Sequence, residues 1–205
     1  MVTIIDLESG NVGSVRNMLH RLEKDCVVTS CPKAILCADR VIIPGVGTFN
    51  NSAQNLDKFR GLRLALKRVA LEKKVPVLGI CVGMQILMDS SDEGEGEGLG
   101  LVRGKVRKLV APELKIPHMG WNSVEIKKDD RLFEKLEAKN RFYFVHSFAP
   151  EPESKGEVLA ETLYGRAFCS AIKKQNVYGV QFHPEKSHRF GMQLLKNFCE
   201  IPHVS

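Results

Sequence analysis

Long apolar runs are missing from this chain. No stretch of its 205 residues approaches the roughly 20 consecutive apolar positions of a membrane-crossing helix, so no span is expected. The opening MVTIIDLESG lacks the basic segment and apolar stretch of a secretory signal, which predicts a cytoplasmic protein. Cysteine is sparse. Cys26, Cys31, Cys37, Cys81, Cys169 and Cys199 form no CxxC pair and no cluster with histidine at zinc spacing. A disulfide scaffold is thereby excluded, and neither a metal nor a cofactor is called for. With one tryptophan and three tyrosines, no aromatic-basic platform for RNA appears. The formal charge of +6 is spread over pairs such as Lys67-Arg68, Lys73-Lys74, Lys127-Lys128 and Lys173-Lys174, interleaved with acids. It reads as a solvated surface or a patch for an acidic partner, with no nucleic acid.

What is present is ordinary globular composition, 43% hydrophobic and 26% charged, enough for one domain over residues 1–205. The first half alternates strand and helix signals. Apolar runs at 2–6, 26–29, 40–44 and 75–80 are separated by stretches with helical spacing: Val12, Val15, Leu19 and Leu22, then residues 52–56, then Leu62, Leu66 and Val69. Ser9-Gly10-Asn11 reads as turn and cap, and Met84, Leu87 and Met88 as a helix stripe. Continuous apolar strands in this rhythm predict an α/β fold, a mostly parallel central sheet flanked by helices. The glycine-rich, acidic segment 89–100 is expected to be a loop with no place in the core. Beyond it, strand signals at 101–108, 123–126, 141–145, 157–162, 167–172 and 177–182 predict an added antiparallel sheet, followed by a helix over 190–199 with Met192, Leu195 and Phe198 inward.

Three motifs carry chemistry. Val75–Gln85 contains Gly79-x-Cys81-x-Gly83 between a strand and a helix, the form of a nucleophile elbow with cysteine in place of serine. A helix amino terminus favours a thiolate there, and the amide of Val82 points where an oxyanion would develop. The other five cysteines read as small buried hydrophobes. Near the carboxyl end, His183-Pro184-Glu185 supplies a base and a carboxylate to orient it, since residues i and i+2 of an extended strand share a side. Pro44-Gly45-Val46-Gly47, after an apolar strand, lets a peptide approach the reacting centre, and a peptide flip there would present a second oxyanion donor. His20 and His203 read as surface positions.

Together these motifs resemble the triad-type class I glutamine amidotransferases, whose fold is flavodoxin-like. Gly98–Leu101, PHMGWN at 117–122, FYFVHS at 142–147 and Gln181–Ser187 narrow the resemblance to glutaminase subunits of imidazole glycerol phosphate synthase, over nearly the whole chain. The resemblance implies that Cys81 attacks the side-chain amide of glutamine, that His183 protonates the departing ammonia, and that water then hydrolyses the thioester. It implies oxyanion amides at Val46 and Val82, and Gly47, Gln85, His146 and Ser147 near the glutamine pocket. It implies a heterodimer with a (βα)8-barrel synthase that consumes the ammonia in histidine biosynthesis, with Asn11, Trp121 and Lys186 on the partner-facing surface. Trp121, in what reads as a polar loop, suits an interface anchor; Met119 and Phe148 read as core.

The chain departs from the pattern at Leu7-Glu8-Ser9, where tyrosine and glycines are usual, and at Val82 in place of leucine. Glu8 leaves open a paralogous subunit that feeds ammonia to another acceptor, such as a surface-sugar precursor. A stand-alone cysteine amidase and a non-catalytic scaffold are the other readings.

Overall fold

A computed structural model describes residues 1–203. Its strands are β1 (Val2–Ile5), β2 (Cys26–Thr29), β3 (Arg40–Gly45), β4 (Val77–Cys81), β5 (Ser90–Ser91), β6 (Gly104–Lys108), β7 (His118–Asn122), β8 (Glu125–Ile126), β9 (Phe142–His146), β10 (Phe148–Pro152), β11 (Val158–Tyr164), β12 (Arg166–Lys174) and β13 (Val177–Val180). The helices are α1 (Val12–Arg21), α2 (Pro32–Ile35), α3 (Phe49–Lys58), α4 (Leu62–Leu71), α5 (Val82–Gln85) and α6 (His188–Glu200). Among the described residues no helix is long and apolar enough to cross a membrane.

Eight strands form the main sheet in the order β2-β1-β3-β4-β13-β12-β11-β8. The first five run parallel, and β12, β11 and β8 continue the sheet antiparallel. This is the expected α/β architecture. Strands β1, β4 and β13 are buried at every position, as continuous apolar runs covered on both faces must be. One core cluster joins these strands to Val15 and Leu19 of α1, Leu66 and Val69 of α4, and Leu195 and Phe198 of α6. Because β3, β4 and β13 are parallel neighbours, their carboxyl ends open at one edge of the sheet. Gly45 there is in register with Cys81, and Val180 with Ile80. Ligands of open parallel sheets bind at this edge.

Several local expectations change. The elbow helix α5 ends at Gln85, so Leu87 and Met88 are buried outside any helix. The segment 89–100 does contribute to the core. Its Ser90–Ser91 pairs with β6, and Leu99 is fully buried, drawn in by its N–H on the Ile86 carbonyl at 2.6 Å. Besides β5, two longer strands carry no strand signal in the sequence. β7 holds Gly120 at φ 129°, and β10 holds two prolines, tolerated because β10 pairs on one side only, with β6. Trp121 therefore lies on a strand, β7, and not in a loop; Met119 beside it is 63% exposed and not core. Met192 is half-buried, and Leu194 takes the inward position. Cys31 and Cys37 are exposed, against the expectation of burial.

Candidate active site

Cys81 ends β4 and begins α5 at φ 56°, ψ −113°, backbone that a side-chain-bearing residue adopts only under constraint. The constraint is close packing. A Cβ on Gly83 would lie 1.7 Å from the Ile43 carbonyl oxygen, and one on Gly79 would lie 2.4 Å from that of Gly83. The two glycines that bracket the cysteine are therefore what lets the first turn of α5 press on β3 and β4. Cys81 is 4% exposed, with Sγ 3.6 Å from Nε2 of Gln181 and 3.9 Å from the Val145 carbonyl.

His183 follows β13 and is pinned by its backbone: its N–H donates to the Tyr143 carbonyl at 2.8 Å, and its own carbonyl accepts from Ser187 Oγ at 2.6 Å. Its Nδ1 lies 2.8 Å from Glu185 Oε1. The pairing expected of these two forms, but through a 3-10 turn over Pro184–Lys186 and not along a strand. Both side chains are almost wholly buried. Nδ1 is engaged, so Nε2, buried and with no hydrogen-bond partner among the described residues, is the nitrogen left for Cys81. Burial pulls the His183 pKa down most strongly, yet the nearby Cys81 sulfur and the hydrogen-bonded Glu185 carboxylate together outweigh it and raise it to about 10. The protonated form of the ring is thereby favoured.

Asn11, expected on the partner surface, donates Nδ2 to Glu185 Oε1 at 3.2 Å and makes no capping bond to its own helix. A cleft beside Cys81 is lined by Gly47, Val82, Gln85, His146 and Ser147, all expected pocket residues. Gln85 donates Nε2 to the Phe148 carbonyl at 3.0 Å and to Gln181 Oε1 at 3.1 Å. His146 Nδ1 donates to the same Phe148 carbonyl at 2.8 Å, and its Nε2 meets His118 Nδ1 at 3.0 Å. A carbonyl only accepts, so His146 is protonated on Nδ1 and His118 must donate to it. His118 Nε2 then accepts from Asn122 Nδ2 at 3.3 Å. Burial holds both rings neutral, lowering His118 to about 4 and His146 to about 3, the latter helped by the fields of His118 and His183 against the Phe148 hydrogen bond.

On the oxyanion side, Val82 opens α5, where amides have no intrahelical acceptor. Val46 does not offer its amide in this conformation, because its N–H lies 3.4 Å from the Ser9 carbonyl. The neighbouring Gly47, at φ 90° with no atom near its missing Cβ, leaves the turn room to rotate. Around the rim, Trp121 stacks on His188 at 5.3 Å and meets the Tyr143 ring edge-on at 6.0 Å, while Lys186 Nζ sits 5.7 Å from that ring. Trp121 and Lys186 thus share one exposed patch.

Two residues went unassigned in the sequence. Glu93, in the acidic segment, lines the cleft and accepts from the Phe49 N–H at 2.7 Å; nothing in a glycine-rich acidic run singles it out. Gln181 did leave a signal, since the strand predicted over 177–182 puts it two positions before His183 and so on its side, although β13 ends at Val180.

The profile of Glutamine amidotransferase class-I matches residues 3–201. The chain is 47% identical over 205 residues to the imidazole glycerol phosphate synthase subunit HisH of Bdellovibrio bacteriovorus, covering 98% of this chain and 100% of that one. It is 45% identical over 201 residues to subunit HisH 2 of Methanococcus maripaludis, covering 98% and 99%. Among solved structures, a glutamine amidotransferase superposes with a TM-score of 0.74 over 97% of both chains at 20% identity, and PurLQS from Thermotoga maritima with 0.74 at 17%; these support the fold alone.

Proposed function

Because this chain belongs to the class I glutamine amidotransferase family, and within it groups with the HisH subunits, we propose that it is the glutaminase subunit of imidazole glycerol phosphate synthase in histidine biosynthesis. The observation that carries this is that Cys81, at a strained strand-to-helix corner ending β4, and the buried His183–Glu185 pair, just beyond the neighbouring parallel strand β13, lie at one edge of the sheet.

The Cys81 sulfur attacks Cδ of the glutamine side chain, forming a C–S bond and an oxyanion that the Val82 amide receives. Collapse of that intermediate breaks the C–N bond, and the His183 imidazolium gives its Nε2 proton to the departing nitrogen, which leaves as ammonia. The neutral imidazole then takes a proton from water as the hydroxide adds to the thioester; collapse releases glutamate and restores the thiolate–imidazolium pair. Glu185 holds the imidazole through Nδ1 and stabilises its charge throughout. Neutral His146, fixed by Phe148 and His118, and Gln85, fixed by Phe148 and Gln181, shape the pocket; Glu93 offers a carboxylate to the substrate's α-ammonium.

The ammonia passes to a (βα)8-barrel cyclase subunit that docks on the patch of Trp121, Met119 and Lys186, giving a cytoplasmic heterodimer. Docking has a direct line to the chemistry: Met119 pairs with Val145, whose carbonyl faces Cys81, and Tyr143 under Trp121 holds the His183 N–H. In the resting chain the Pro44–Gly47 turn keeps Val46 N–H on Ser9, and its rotation completes the oxyanion hole. Glu8, the departure that raised a different acceptor, forms an ion pair with Lys58 and so presents no bare charge to the partner.

A glutaminase assay of the chain alone, with the cyclase, and with cyclase plus its ligand tests the reading. Weak turnover alone that rises strongly in the liganded complex is expected. Equal turnover in all three would identify a self-sufficient amidase instead.

A further inference from the structure

Gln181 has no assigned task, yet it is fully buried and both ends of its side-chain amide are committed. Its orientation is dictated by its neighbours. The Phe148 carbonyl only accepts, so Gln85 must turn its NH2 group that way, and the second hydrogen of that group goes to the Gln181 oxygen. Gln181 is then left with its own NH2 directed at Cys81 Sγ, 3.6 Å away. The alternative for the sulfur is to donate to the Val145 carbonyl, at a longer 3.9 Å. Its better geometry is as an acceptor. A sulfur buried to this degree is poorly solvated, and each oriented donor aimed at it favours the anion over the thiol.

We propose that Gln181 is a positioning residue for the nucleophile: its amide, locked in orientation by Gln85, donates to the Cys81 sulfur and holds it as an anion in the attacking position. The inference rests on the assignment of Cys81 as nucleophile and adds a donor outside the Cys–His–Glu set. It also links pocket to sulfur, since Gln85 lines the cleft and sets the direction of the amide that touches Sγ.

The test is alkylation of the full-length chain by iodoacetamide across a pH series, with the Cys81 peptide followed by mass spectrometry so that exposed Cys31 and Cys37 do not obscure it. Gln181→Met keeps length and burial and removes the donor; Gln181→Glu keeps the shape and replaces the donor with an acceptor. Loss of one hydrogen bond to a charged group predicts about tenfold slower Cys81 alkylation at pH 7 in Q181M, with the profile displaced to higher pH. Q181E is expected to fall at least as far, and either variant that folds suffices. In the complex, kcat for glutamine falls with KM little changed. A folded Q181M or Q181E that alkylates at the wild-type rate over the whole series overturns the role of Gln181 and leaves the nucleophile intact. Failure of iodoacetamide to label Cys81 in the wild type, with activity preserved, would instead remove the nucleophile assignment itself.

Discussion

The side-chain amide of Asn11, in the first turn after β1, reaches the carboxylate of Glu185 at 3.2 Å across 174 positions of sequence. The same oxygen, Oε1, takes the His183 imidazole at 2.8 Å. Asn11 therefore braces the carboxylate that braces the base, in addition to lying where the partner is expected. Asn11→Ala is expected to lower glutaminase kcat in the complex by about tenfold, the cost of one hydrogen bond to a charged group. A kcat within twofold of wild type, with only partner affinity changed, would confine Asn11 to the interface.

Glu185 matters more. With Cys81, its carboxylate is what keeps His183 raised to about 10. Glu185→Gln keeps the shape but removes the charge and unsettles the proton on Nδ1. Glutamine turnover is expected to fall by about 10²–10⁴, while ammonia-dependent synthesis by the complex persists. Steady-state assays with each nitrogen source separate the two; parallel loss of both activities would point to a folding defect.

The glycine bracket is a stability prediction. Gly83→Ala places a methyl 1.7 Å from the Ile43 carbonyl oxygen, backbone that has nowhere to go. A loss of about 1–3 kcal/mol or more is expected, read as a lowered Tm or a failure to accumulate. Gly47→Ala meets no atom, but φ 90° makes it a turn variant, expected to lose turnover and keep its core.

Most of this site was legible in the sequence because its parts lie on backbone features with local signatures: glycines flanking Cys81, proline between His183 and Glu185, glycines after β3. Parallel pairing of β3, β4 and β13 then brings them to one edge. The buried polar line from Phe148 through Gln85 and Gln181 to Cys81 was not legible, because a glutamine gives no local sign of which way its amide will face. Glu93 and Leu99 were missed for a related reason. A glycine-rich acidic stretch reads as solvated chain, whereas the carbonyls of Ile86, Leu87 and Met88, left without helix partners, draw its end inward from Leu99 on, and the Phe49 N–H holds Glu93. Likewise β7 and β10 carry glycine or proline that masks a strand unless the partner strand is known.

The two neutral histidines give the pH dependence of folding. Burial lowers His118 to about 4 and His146 to about 3, against 6.5 for a free imidazole. Between those values the unfolded chain holds more protons than the folded one, so stability is full above pH 6.5 and declines as pH falls toward 3. His183 works in the opposite sense. Its raised pKa contributes fully below 6.5, and the contribution is lost as pH rises through about 10. Tm measured from pH 4 to 10 should therefore be dome-shaped, with a shallower acid limb in His118→Gln. An acid limb unchanged by that substitution would place the titrating groups elsewhere.

The nucleophile itself is tested most directly by acid-quenching the liganded complex during glutamine turnover and mapping the covalent adduct by mass spectrometry. A γ-glutamyl group on the peptide carrying Cys81, removed by hydroxylamine and absent in Cys81→Ala, is the predicted result. Glutamate formation that continues in Cys81→Ala, or an adduct on any other cysteine, would contradict it.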